Sequence, residues 1–202
     1  MRTLQISKIA LEIANRLSLR HHKQIAYRLI VQNDFLMIAG FCVEPNRFQP
    51  DSFSVRYFIQ PLYIKFDYLD LSLGDVVGEW NITNINDSLD EICQIYNSKL
   101  SHLNSISDVV SDLLNCQISY FGSNDSKEEF FAYSYLVLNE WAKAIPYLTS
   151  LIELNKDDNK EWFATVCSTA IQIYKLLQQN NYSEIRNIML SWQTYTKGKL
   201  SI

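Results

Sequence analysis

Glycine and histidine are scarce in this chain, with five glycines and three histidines among 202 residues. Dispersed glycines cannot build G-x-x-x-x-G-K-[ST] or G-x-G-x-x-G, whose glycines let backbone amides close on a phosphate, so nucleotide binding by those routes is excluded. Neither H-E-x-x-H nor a G-x-S-x-G elbow occurs. The four cysteines, Cys42, Cys93, Cys116 and Cys167, show no C-x-x-C spacing and sit among apolar neighbours, which reads as reduced, buried thiols rather than a metal or redox motif. Long apolar runs are missing too. None approaches the roughly 18 residues a membrane-spanning helix needs, and Lys8, Glu12 and Arg16 interrupt the N-terminal stretch where a signal peptide would carry its apolar core. A soluble, cytoplasmic protein is therefore expected. Cationic surplus is also absent: 18 basic residues face 22 acidic ones, for a net charge of -4 and a pI near 5.4. That balance argues against a nucleic-acid partner.

What is present divides into a β-rich and a helical half. Residues Leu4 to Ser18 place Ile6, Ile9, Ala10, Ile13 and Leu17 on one helical stripe. Ile25, Tyr27, Leu29 and Val31 then alternate with Gln24, Ala26, Arg28 and Gln32, and Asn33-Asp34 separates them from the wholly apolar run Phe35 to Val43; this is a hairpin pattern. A third strand begins at Phe53 and is interrupted by Pro61, which lacks an amide for a sheet ladder. Leu69, Leu71 and Leu73 alternate with Tyr68, Asp70 and Ser72, so a fourth strand is expected there, with the leucines inward and Asp70 toward water. Gly74, Gly78 and Trp80 read as the exit from this region.

After Ile85 the apolar period lengthens to that of helices. Ser88-Leu-Asp-Glu91, Ser126-Lys-Glu-Glu129 and Asp158-Asn-Lys-Glu161 have the spacing of helix N-terminal caps. Between them come a stripe from Leu89 to Leu103, a short helix over Ser107 to Asn115 and a turn-rich break at "ISYFGSND". Antiparallel helices follow, two over residues 127–154 broken at Asn139, a third carrying Trp162, Phe163, Val166, Ala170 and Ile173, and a fourth carrying Ile185, Ile188, Met189 and Trp192. Pro146 is expected to kink its helix or to delay its start to about Lys143. The fold class predicted is α+β, an N-terminal helix with a four-stranded antiparallel meander over residues 1–85 and helix pairs over 86–202. No long Gly/Ser linker separates the two parts, so they are expected to share one core.

Candidates for chemistry are few. His21-His22 lies at a polar junction that Asp34 could approach. Asp67, Asp70, Asp75 and Glu79, with Arg56 and Gln60, form the nearest thing to a polar constellation, but strand parity separates Asp70 from Asp75, and catalytic carboxylates must converge. The aromatic group Tyr57, Phe58, Tyr63, Phe66, Tyr68 and Trp80 reads first as filling between sheet and helices and second as an interaction surface. Arg56, Gln60, Tyr63, Asp67, Tyr68, Asp70, Asp75 and Trp80 are therefore the residues expected on any partner or ligand surface. No catalytic residue, cofactor or metal ligand is assigned.

"FFAYSYLVLNEWAKAIPYL" resembles a tetratricopeptide helix pair in its aromatic–small–aromatic spacing, over residues 127–154, although fewer than three repeats form no solenoid. "FIQPLYIKFDYLDLSLGDVVG", through Gln60, Pro61, Leu62, Tyr63, Leu71, Leu73, Gly74 and Gly78, resembles a class of small bacterial α+β proteins, some of them thought to be immunity proteins that neutralise polymorphic toxins. That resemblance implies a non-enzymatic protein-binding module and brings no catalytic residue. An acidic chain suits a basic partner, such as a basic toxin. The competing expectation is a small-molecule-binding protein or an enzyme, with a pocket between sheet and helices walled by Trp80, Tyr63 and Tyr135.

Overall fold

A computed structural model of the protein describes residues 3–46, 48–119, 124–155 and 161–202. The first helix, α1 (Thr3–Leu17), buries Ile6, Ile9, Ala10, Ile13 and Ala14, the stripe its 3.6-residue period predicts. Five strands follow: β1 (Arg20–His22), β2 (Ile25–Gln32), β3 (Phe35–Pro45), β4 (Ser52–Pro61) and β5 (Leu73–Asn81). They form one antiparallel meander in sequence order. The β2–β3 turn places Asn33 at φ 53° and Asp34 at φ 68°, the left-handed pair that a two-residue hairpin requires and that Asn and Asp tolerate.

Two corrections concern the sheet. It has five strands, not four, because Arg20–His22 pairs with Ile25–Tyr27 across a tight turn at Lys23; three residues are too few to show a period. The last strand also lies later than Leu69 to Leu73. Residues 62–72 are irregular, and β5 runs through the glycines read as an exit. Gly78 sits where a bulge shifts the β4–β5 register beside Val55 and Arg56. Gly74 adopts φ +144°, and a Cβ there would lie 1.9 Å from the Tyr57 carbonyl oxygen, so no other residue fits without backbone movement.

Each face of the sheet carries an apolar cluster. Ala26, Ile30, Met37, Ala39, Phe41, Val43, Val55, Tyr57 and Ile59 turn to one side, where they join α1 and the later helices in one apolar cluster. On the other side Ile25, Tyr27, Ile38, Cys42, Phe58 and Leu62 form a second cluster, against which Leu69 and Leu71 pack. That explains the misplaced strand. An extended loop lying over a sheet face reproduces the alternation of a strand while making no ladder.

After a 3-10 turn at Ile82–Asn84, α2 (Ile85–Ile95) continues through a π-turn at Tyr96–Leu100. Then come α3 (Ile106–Leu114), α4 (Asn124–Val137), α5 (Trp141–Asn155), α6 (Glu161–Gln178) and α7 (Tyr182–Leu200). Two expected caps are displaced. Ser88 lies inside α2 and donates its hydroxyl to the Ile85 carbonyl (2.6 Å), and Ser126 lies inside α4. The capping box found instead is Ser105 with Asp108 at the start of α3, an S-x-x-D form that a search for glutamate overlooks. The cap expected at Asp158–Glu161 and the side chains of Trp162 and Phe163 lie outside the described residues. Pro146 neither delays α5 nor ends it, since the helix starts at Trp141 and runs on to Asn155. No helix among the described residues is long and apolar enough to cross a membrane.

α7 is bound to the sheet by polar contacts as well as packing. Gln193, nearly buried, accepts from the Leu36 amide (2.6 Å) and donates to the Asp34 carbonyl (3.1 Å). Arg186 donates to the Asp34 carboxylate at 2.6 Å and to the Asn33 carbonyl at 3.0 Å. Leu200 and Ile202, at the end of α7, reach the second sheet face beside Leu69 and Leu71.

Candidate functional site

The 62–72 loop after β4 is irregular, yet it is fixed at several points. Gln60, fully buried, donates from Nε2 to the Tyr68 carbonyl (3.1 Å) and accepts at Oε1 from the Asp70 amide (3.2 Å). A buried primary amide is tolerated only when its polar atoms find partners, and here the loop backbone supplies them. From α7, Thr196, also fully buried, accepts from the Phe66 amide (3.0 Å) and donates to the Ile64 carbonyl (2.9 Å). Asp70 caps the turn by accepting from the amide and hydroxyl of Ser72 at 3.1 and 2.6 Å.

The exposed side chains of the loop are tied to α7 as well. Tyr195 donates its hydroxyl to Asp67, and the Lys199 ammonium lies 3.2 Å from the same carboxylate. The Tyr195 hydrogen bond and then Lys199 hold the Asp67 carboxyl below its usual range. The ammonium groups of Lys65 and Lys199 sit 4.8 and 5.1 Å from the centre of the Tyr195 ring.

This fixed loop divides two clefts. The larger, about 480 Å³, lies between Lys65–Tyr68, Glu129 of α4, Thr165, Val166 and Thr169 of α6, and Trp192 of α7. The smaller, about 220 Å³, lies on the other side, between Asp67–Leu69, His22–Ile25 at the β1–β2 turn, and Lys199 and Leu200. Asp67 and Tyr68 border both, and the Tyr68 side chain is 60% exposed. Burial and the negative charges of Asp70, Glu129 and Asp67 raise the Tyr68 phenol above its ordinary range. Behind Trp192, Tyr133 packs edge-on at 5.2 Å with its hydroxyl buried and without a hydrogen-bond partner among the described residues.

Of the eight residues expected on a binding surface, Asp67, Tyr68 and Asp70 come together in the loop, and Gln60 holds that loop from beneath. The other four are elsewhere. Tyr63 is buried, edge-on to Phe35 and 2.8 Å from the Ser134 hydroxyl. Arg56 lies half-buried on the second sheet face, 3.9 Å from Glu44. Asp75 accepts from the Ser119 hydroxyl (3.3 Å), and Trp80 packs on Phe53 at 6.0 Å. Neither cleft is walled by Trp80, Tyr63 or Tyr135. Asp70 is half-buried rather than solvated, because the loop folds its carboxylate back on Ser72.

His21 and His22 do not meet Asp34, which pairs with Arg186. His21 contacts the Lys23 carbonyl (2.9 Å) and Ser7 (3.3 Å), and burial followed by the charges of Lys23 and His21 lowers the pKa of His22. Among the described residues no group of three His, Cys, Asp or Glu side chains is placed to hold a metal. Asp67 is engaged by a hydroxyl and an ammonium group, and Asp70 by an amide and a hydroxyl. The far walls, Glu129, Thr165, Thr169 and Trp192, were not legible in the sequence. They stand more than 55 residues from the loop, and each sits on a helix whose periodicity reports only which face is apolar. In comparisons with known proteins, no family model, no curated protein and no solved structure matches the chain.

Proposed function

We propose that this protein is a non-catalytic binding module for a basic protein partner, the role of a toxin-neutralising immunity protein. The observation that carries this reading is the 65–70 loop. It presents an exposed tyrosine flanked by Asp67 and Asp70, and buried Gln60 and Thr196 fix its backbone before any partner arrives. Preorganised aromatic side chains make good anchors because little rotamer freedom remains to be lost on binding. The net charge of -4 favours encounter with a cationic partner. A second reading, a small-molecule-binding protein, is favoured by the volume of the larger cleft, which falls within the range of ligand pockets.

A photo-crosslinking phenylalanine analogue at position 68, installed in the native host, tests the proposal against a control at Leu11, which is exposed on α1. The expected outcome is one covalent adduct with a polypeptide of high pI at position 68 and none at position 11. A position-68 variant that stays free of any polypeptide adduct overturns the protein-binding reading and leaves the small-molecule one standing.

A further inference from the structure

We infer that the larger cleft is a receptor for a single guanidinium group, the side chain of an arginine on the partner. The inference rests on the protein-binding reading for the source of that arginine, and on the cleft alone for the chemistry. Three features select this ligand class. Trp192, Phe66 and Tyr68 supply aromatic surface, and a flat, weakly hydrated guanidinium stacks on such faces better than a compact ammonium does. Glu129 and Asp67 bring carboxylates from two different elements to the same cleft. The Tyr68 hydroxyl, at the rim, feels the negative charge of Asp70, Glu129 and Asp67 together.

Two lysines temper this field without covering the aromatic lining: the Lys65 ammonium is placed over the Tyr195 ring of α7, and Lys199, like the Tyr195 hydroxyl, meets Asp67 at Oδ1. The cleft is also built rather than incidental. Its loop wall hangs on the fully buried side chains of Gln60 and Thr196, positions where apolar residues would serve packing alone. Behind Trp192 and outside the cleft lining, the ring of Tyr133, one helical turn from Glu129, packs edge-on and holds the indole in place. A guanidinium offers five donors in a rigid fork, which suits a cleft lined by two carboxylates and the Tyr68 phenol.

The test titrates the full chain, labelled with 5-fluorotryptophan, with N-acetyl-arginine amide and with its neutral isostere N-acetyl-citrulline amide. The Trp192 resonance is assigned by its loss in Trp192→Phe. The arginine probe should shift that resonance with saturation in the millimolar range, and the citrulline probe should bind at least about tenfold more weakly. Glu129→Gln should weaken the arginine probe by about tenfold while leaving far-UV circular dichroism unchanged. Equal response to both probes, or no response of Trp192 to the arginine probe, overturns the inference even if Glu129→Gln fails to fold, because that comparison uses the unsubstituted protein. A crosslinked polypeptide at position 68 without an arginine response sinks the receptor and spares the partner. An arginine response without any crosslink does the reverse.

Discussion

Gln60 occupies a position that the alternation of β4 would assign to an apolar side chain, between Phe58 and Leu62 on the second sheet face. Its amide is used to hold the backbone of the 65–70 loop at Tyr68 and Asp70. Replacing it with leucine keeps the volume nearly constant and removes both hydrogen bonds, so packing is retained while the loop loses its inner anchor. Gln60→Leu is expected to lower stability by about 1–3 kcal/mol, the usual cost of leaving partly buried backbone groups unpaired. Urea denaturation reads the loss, and amide hydrogen exchange locates it: protection at Asp70 should fall while protection at Ala39, in the middle of β3, changes only as global stability does. Equal stability and undiminished Asp70 protection would mean that α7, through Thr196, suffices to hold the loop.

At the scale of elements, the helices were legible because apolar side chains at 3.6-residue spacing have one explanation, an amphipathic helix, whatever they pack against. β2 and β3 were legible for the matching reason in strands, helped by Asn33-Asp34. β5 was not, since Gly74 and Gly78 read as breaks until the bulge and the close approach of Tyr57 give each a structural use. The Leu69–Leu73 rhythm misled because packing on a sheet face and pairing within a sheet demand the same alternation. Of the site, the loop half was legible and the helical half was not. Pro146 illustrates tertiary context overriding a local cost. It is exposed within α5, and its ring nitrogen leaves the Ala142 carbonyl without the usual amide partner. Pro146→Ala should therefore raise stability by about 1–2 kcal/mol, less than the full ~3 kcal/mol of the propensity scale because the unfolded chain regains freedom. Chemical denaturation checks this, and a loss of stability would show that the ring is used by the packing of α5.

For the whole molecule, the apolar clusters on the two sheet faces and the helical layer enclose several weakly acidic groups that are held neutral. Burial pushes the phenols of Tyr63 and Tyr133 well above their ordinary value, and it raises the Cys42 thiol to about 11. Ser134 hydrogen-bonds Tyr63 and only partly offsets that rise. Each of these groups binds its proton more tightly in the folded chain than in the unfolded one, where the values are about 8.5 for cysteine and about 10 for tyrosine. Their contribution is thus complete below those unfolded values and declines as pH rises toward the folded ones, by up to about 1.4 kcal/mol per pH unit for each group. The stability curve is expected to be flat from about pH 7 to pH 8, to bend near pH 9 as Cys42 begins to matter, and to steepen above about pH 10. Urea midpoints across that range, paired with tyrosinate absorbance, should show phenol ionisation coinciding with unfolding. Tyr63→Phe removes one of the titrating groups, so it should reduce the slope above about pH 10 even while the lost partner of Ser134 lowers stability at neutral pH. An unchanged alkaline slope in that variant would place the proton linkage outside the core that joins the 62–72 loop to α4.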